Sequence, residues 1–201
     1  MNPYDDIDNF LEIRGCAALC ETLRARDILE VFSKDEIESV LPDRTPFLLL
    51  KKAVHFRDQD ENDCLVAMAM IDEDRCGGHI PEQLMAPAIV FSWGLALTGR
   101  LLSACVTERE KVVAEFVEAY SVRSLLSLAD LHYAKPPIQV LFFARKIGQG
   151  PRTVTCDTHA WIVGLDSFVP AVSISKMQYA IIPKRVFLRA LRGSEKKGEQ
   201  K

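Results

Sequence analysis

Gly77-Gly78-His79-Ile80-Pro81 brings together two things that chemistry at a carbonyl needs. The glycines let the backbone approach closely, and the imidazole ordinarily titrates near neutrality. Glu82 lies three residues beyond His79 and Asp74 five residues before it, so carboxylates flank the histidine in sequence. Met85-Ala86-Pro87 follows, and proline suits the first position of a helix because the N–H it lacks would have no partner there. The run from Ala88 to Leu102 is apolar on nearly every side, interrupted by Ser92, Thr98 and Arg100. A helix of that composition, too short and too interrupted to span a bilayer, is expected to lie buried against a sheet. Its N-terminus presents unpaired N–H groups suited to polarising a carbonyl or holding an anion.

The flanking segments supply the sheet. Residues 1–34 open acidic and read as helix, with Leu19, Leu23, Ile28, Leu29 and Val31 on one face. Ser33 and Glu36 form a capping-box pair for a short helix over Asp35 to Leu41, which Pro42 closes. Phe47 to Phe56 and Cys64 to Ile71 predict a hairpin across the polar turn Asp58 to Asp63. Val112 to Tyr120 fits either a strand or a short helix. Leu125 to Tyr133, Gln139 to Ile147, Arg152 to Val163 and Ser167 to Ile182 read as a meander turning at Gly148-Gln149-Gly150-Pro151 and Gly164-Leu165-Asp166. The fold class is therefore α+β.

Composition excludes several functions. The chain has 201 residues, enough for one sizeable core, and a net charge of −3, which argues against a general nucleic-acid binder. No long uninterrupted apolar run and no basic, apolar, small-residue leader is present, so the expected protein is cytoplasmic, without a membrane span. Six cysteines stand without paired CxxC spacing, and the four histidines show no HExxH pattern, so no metal and no cofactor are expected. Cys16 and Cys20 share a helical face, but no second ligand pair follows them, and core packing is the favoured reading. Residues 184–201 carry seven basic residues against two acidic ones, a positive tail that begins as a short amphipathic helix around Val186, Phe187, Leu188 and Leu191.

Leu41-Pro42-Asp43-Arg44-Thr45-Pro46-Phe47-Leu48-Leu49-Leu50, then Gly78-His79-Ile80-Pro81, then Met85-Ala86-Pro87 and a buried helix, resembles the hot-dog-fold beta-hydroxyacyl-(acyl carrier protein) dehydratases. That family reads L-P-H-R-Y/F-P-F-L-L, G-H-F-P and M-P-G in the same order at nearly the same spacings. The resemblance spans roughly residues 36–183. It implies a hot-dog domain over 35–183, with a long central helix wrapped by an antiparallel sheet, a helical extension over 1–34 and a basic tail over 184–201. It further implies a homodimer or larger homo-oligomer, with the acyl tunnel between subunits, acting on acyl carrier protein or coenzyme A thioesters in fatty-acid or specialised acyl-chain biosynthesis.

Site residues follow position by position. The family's active-site histidine falls on His79 and its backbone donor near Ala88, and the resemblance implies Gly78, Pro87, Ala88 and Trp93 as substrate-binding residues. The family's helix carboxylate falls on Trp93, whose indole can neither supply nor take up the proton a carboxyl would. Asp43 stands where the family has histidine, and Arg75-Cys76 where it has an aromatic pair. Three readings remain open. Glu82, or Asp74, substitutes as the acid in a dehydratase. Alternatively, His79 activates water in a thioesterase. In the third, the protein binds acyl thioesters without catalysis, Trp93 filling the former reaction space.

Overall fold

Asp27–Phe32 forms strand β1 in the computed structural model, which describes residues 27–43, 48–71, 87–108, 112–124, 138–163 and 168–189. The helix expected over Ile28, Leu29 and Val31 is thus corrected to a strand. Six residues with apolar positions on both sides of Glu30 satisfy either period, and pairing decides between them. Asp27 to Phe32 run antiparallel to β2 (Leu50–Arg57), and the pairing delivers Phe32 to the core. Helix α1 (Lys34–Val40) is as local chemistry predicts: the Ser33 side chain accepts from the Glu36 N–H, and the Glu36 carboxylate accepts from the Ser33 N–H at 2.7 Å. Its one buried residue, Ile37, pins it to the core.

The predicted hairpin is present, β2 turning into β3 (Asp63–Ile71). Asp58 closes the turn, its Oδ1 accepting from the N–H groups of Asp60 and Asn62 at 2.9 Å each. After helix α2 (Pro87–Cys105) come β4 (Val112–Glu118), β5 (Ser121–Ser124), β6 (Ile138–Gly150), β7 (Thr153–Val163) and β8 (Phe168–Pro183). The segment left open between strand and helix is therefore strand β4. Every described pairing is antiparallel, in the order β1-β2-β3-β6-β7-β8-β4, with β5 also on β8. The strand expected over Leu125 to Tyr133 lies outside the described residues, as do Cys16, Cys20 and most of the N-terminal extension. Of the basic tail, residues 184–189 are helical, with Val186 and Leu188 exposed.

Strand alternation sorts the two faces of the sheet. Ala53, Leu65, Ala67, Ala69, Phe142 and Ala144 join Phe91, Leu95, Leu97, Leu101 and Leu102 of α2 in the main core. Val54, Phe56, Cys64, Val66 and Leu141 form a smaller cluster on the other face. A long helix lies along one face of an antiparallel sheet, which is the expected architecture in outline. Two helix glycines permit the contact: a Cβ at Gly94 would run into the Phe142 ring, and one at Gly99 into the Tyr179 phenol. Both rings belong to the fully buried set, so neither has room to swing away. Gly94→Ala is therefore expected to destabilise the protein by at least ~1–3 kcal/mol despite alanine's better helix propensity. Denaturant unfolding checks this, and an unchanged or higher midpoint would show that the helix lies farther from β6.

Candidate functional site

The start of α2 is the described part of the predicted site. The helix begins at Pro87, as expected, so the first backbone donors it offers belong to Ala88 and its successors. The first turn carries no acidic side chain, which leaves the positive end of the helix dipole uncompensated from within the helix. Gly78, His79, Glu82 and Asp74 lie outside the described residues. Pro87 and Ala88 are placed as backbone only.

Trp93 lies one and a half turns into α2 and is 39% exposed, while Phe91, Gly94, Leu95, Leu97 and Thr98 around it are buried. Gly94, the next residue, faces the Phe142 ring of β6, so the sheet packs against the helix beside Trp93 rather than over it. No Asp or Glu occurs anywhere from Pro87 to Cys105. The position at which the family has a carboxylate therefore presents indole.

Two turns further along the same face stands Arg100, 5% exposed, the lone charge of α2. A buried guanidinium needs its donors satisfied, and here they are. Nε donates to the Ala114 carbonyl at 2.9 Å, Nη1 to Asp43 Oδ2 at 2.7 Å and Nη2 to Glu115 Oε1 at 2.7 Å. This explains Asp43, where the resembling family has histidine: its carboxylate is one half of the counter-charge. Burial raises the pKa of Glu115 against the lowering effect of Arg100. Neither carboxylate replaces the one missing at Trp93, because seven helical residues separate Arg100 from it, about 10 Å along the axis. The arrangement was missed in sequence; its signal was a single arginine inside an apolar run.

A second polar group crosses the other end of the helix-facing side. His55 Nε2 lies 3.3 Å from Asp63 Oδ1, and Lys146 Nζ bonds Asp63 Oδ2. Burial lowers the pKa of His55, outweighing the opposing pull of Asp63. Burial works against ionisation of Asp63, but Lys146 and then His55 outweigh it and hold the carboxyl below its ordinary value. The thiols of Cys64 and Cys156 are pushed up to about 12, chiefly by burial, which makes them inert core groups, as the sequence suggested.

On the outer face, His159 stacks 6.3 Å from Phe143 and lies 5.7 Å from Trp161. Burial lowers its pKa, with Asp157 opposing. The folded protein therefore binds less proton at His159 than the unfolded chain does. Its contribution is complete above the unfolded value of about 6.5 and is lost as pH falls through the folded value. His159→Phe keeps the ring contact without the proton. The variant is expected to show a smaller fall in Tm than wild type between about pH 7.5 and about pH 5. Equal falls would assign no part of the acid sensitivity to His159.

No protein-family model matches the chain. It is 25% identical over 129 residues to the 3-hydroxyacyl-(acyl-carrier-protein) dehydratase FabZ of Staphylococcus aureus, covering 63% of this chain and 86% of that enzyme. Among solved structures, the dehydratase heterocomplex ApeI:P of Xenorhabdus doucetiae matches with a TM-score of 0.52 at 11% identity, over 72% of this chain and 90% of that one. A mutant thioesterase of Pseudomonas aeruginosa matches with a TM-score of 0.46 at 17% identity, over 74% and 93% of the two chains. Among the described residues, no helix is long and apolar enough to cross a membrane.

Proposed function

We propose that this chain, which resembles the hot-dog-fold 3-hydroxyacyl-(acyl-carrier-protein) dehydratases, is a divergent dehydratase-like protein acting on 3-hydroxyacyl thioesters of acyl carrier protein or coenzyme A. The observation that carries the reading is the start of α2. A helix opening at Pro87, with no acid in its first turn, begins six residues after Pro81 of Gly78-His79-Ile80-Pro81. The thioester oxygen is held by backbone N–H at Ala88, which stabilises the charge that develops when the α-proton leaves. His79 takes that proton on neutral imidazole, and water departs from the β-carbon with a proton from Glu82 or returned by His79. The protein works as a homodimer, since among the described residues the antiparallel sheet is open, ending at β1 and β4. The basic tail favours encounter with an acidic carrier.

Trp93 supports a second reading, in which the chain binds acyl thioesters without turning them over. Indole at the carboxylate position removes a proton donor whose loss typically costs about two to four orders of magnitude in rate. Purified protein is to be assayed with 3-hydroxyacyl and 2-enoyl thioesters, following hydration, dehydration and thiol release together with thioester binding. Interconversion of hydroxyacyl and enoyl forms, slow beside a dehydratase that has its carboxylate, is the expected result. Thiol release alone would make it a thioesterase, and binding without either reaction would establish the second reading.

A further inference from the structure

At the C-terminal end of α2, about 27 Å along the helix from its start, three potential metal ligands converge from three separate elements. Glu30 of β1, His55 of β2 and Cys105 of α2 offer an oxygen, a nitrogen and a sulfur that all lie within 4.8 Å of one another. The fold makes this placement obligatory. Glu30 and His55 are cross-strand partners in the β1–β2 ladder. Both lie on the face whose neighbours Phe32, Ala53 and Leu65 pack in the main core under α2, and Cys105 closes the helix above them.

We propose that Glu30, His55 and Cys105 form a structural binding site for a divalent metal ion of the zinc class, clamping the edge strand β1 and β2 to the end of the central helix. Thiolate, imidazole and carboxylate together are a zinc-type donor set, whereas calcium and magnesium take oxygen alone. Asp63, 3.3 Å from His55 Nε2, is the acceptor that fixes the imidazole ring. The charges also match. A Glu30 carboxylate and a Cys105 thiolate bring two negative charges to one dication. The last turn of α2 carries no basic side chain, so the negative end of its dipole meets this cation instead. Sequence spacing concealed the site because its ligands come from β1, β2 and a helix far along the chain, with no local pair among them. It is remote from the start of α2 and takes no part in the proposed thioester chemistry.

The full chain, stripped with a chelator under reducing conditions, is to be titrated with cobalt(II) and then with zinc(II). One cobalt per chain is expected, with a thiolate-to-metal charge-transfer band and the visible intensity of a four-coordinate ion, both removed by zinc. Zinc at about a hundredfold excess over its Kd is expected to raise Tm by roughly 5–10 °C. Cys105→Ser should abolish the charge-transfer band and weaken binding at least about tenfold, while Cys16→Ser/Cys20→Ser retains both. X-ray absorption of the wild-type zinc form should show a single sulfur among nitrogen and oxygen ligands, a result that does not depend on any variant folding. The proposal is overturned by the absence of stoichiometric binding, by a band that survives Cys105→Ser, by its loss in Cys16→Ser/Cys20→Ser, or by two sulfurs on the metal.

Discussion

Arg100→Ala is expected to destabilise the protein by about 3–5 kcal/mol, the cost of breaking a buried ion network by removing one partner. The guanidinium side chain is 6% exposed, and its two carboxylate partners, Asp43 and Glu115, are 12% and 31% exposed. Alanine takes the guanidinium away from Asp43 and Glu115 where little water can replace it, and leaves the Ala114 carbonyl without the Nε donor. For a chain of this length the loss corresponds to a fall in Tm of roughly 10 °C. Arg100→Lys should recover only part of it, because one ammonium cannot serve three acceptors held at fixed angles. The loss is a penalty for unpaired charge rather than a net worth of the pairing. Arg100→Met combined with Asp43→Leu and Glu115→Gln should therefore stand closer to wild type than Arg100→Ala does. Denaturant unfolding of the three variants decides the matter. A loss under about 1 kcal/mol for Arg100→Ala would mean that the cluster is hydrated and holds little of the helix to β4 and the segment before β2.

His79→Ala is expected to lower the rate of hydroxyacyl–enoyl interconversion by about two to four orders of magnitude while leaving the thermal midpoint near wild type. Imidazole is the side chain of the Gly-His motif able to take up and return a proton, so no neighbouring residue of the motif takes over its task. Substrate binding should change far less than turnover, since the backbone donors at the start of α2 do not depend on the side chain at position 79. Glu82→Gln assayed beside it separates two routes for the second proton. A comparable fall assigns the acid to Glu82, and an unchanged rate returns the task to His79. If wild type binds thioesters with no turnover and His79→Ala binds them equally well, the histidine has no chemical role and the binding reading stands.

Elements written in short-range chemistry were legible from the residues. The Ser33–Glu36 capping box placed α1, the acidic turn at Asp58 placed the β2–β3 hairpin, and Pro87 placed the start of α2. Each depends on partners within a few positions. Where two periods fitted the same residues, reading failed or stayed open. The apolar spacing of residues 1–34 predicts helix where Asp27–Phe32 is a strand, and Val112 to Tyr120 fits either period where Val112–Glu118 is a strand. Both are strands because β2 and β8 offer them ladder bonds, a cause that no local window contains.

The α+β class, the resemblance to the hot-dog dehydratases and the absence of a carboxylate on α2 rest on order, spacing and residue type, and are legible without coordinates. The exposure of Trp93, the carboxylates that answer Arg100 and the meeting of Glu30, His55 and Cys105 come from the packed chain alone. The physical reason is the same in each case. Burial, ion pairing and metal ligation are relations between groups brought together by strand register and helix packing, and their partners lie far beyond the reach of local sequence pattern.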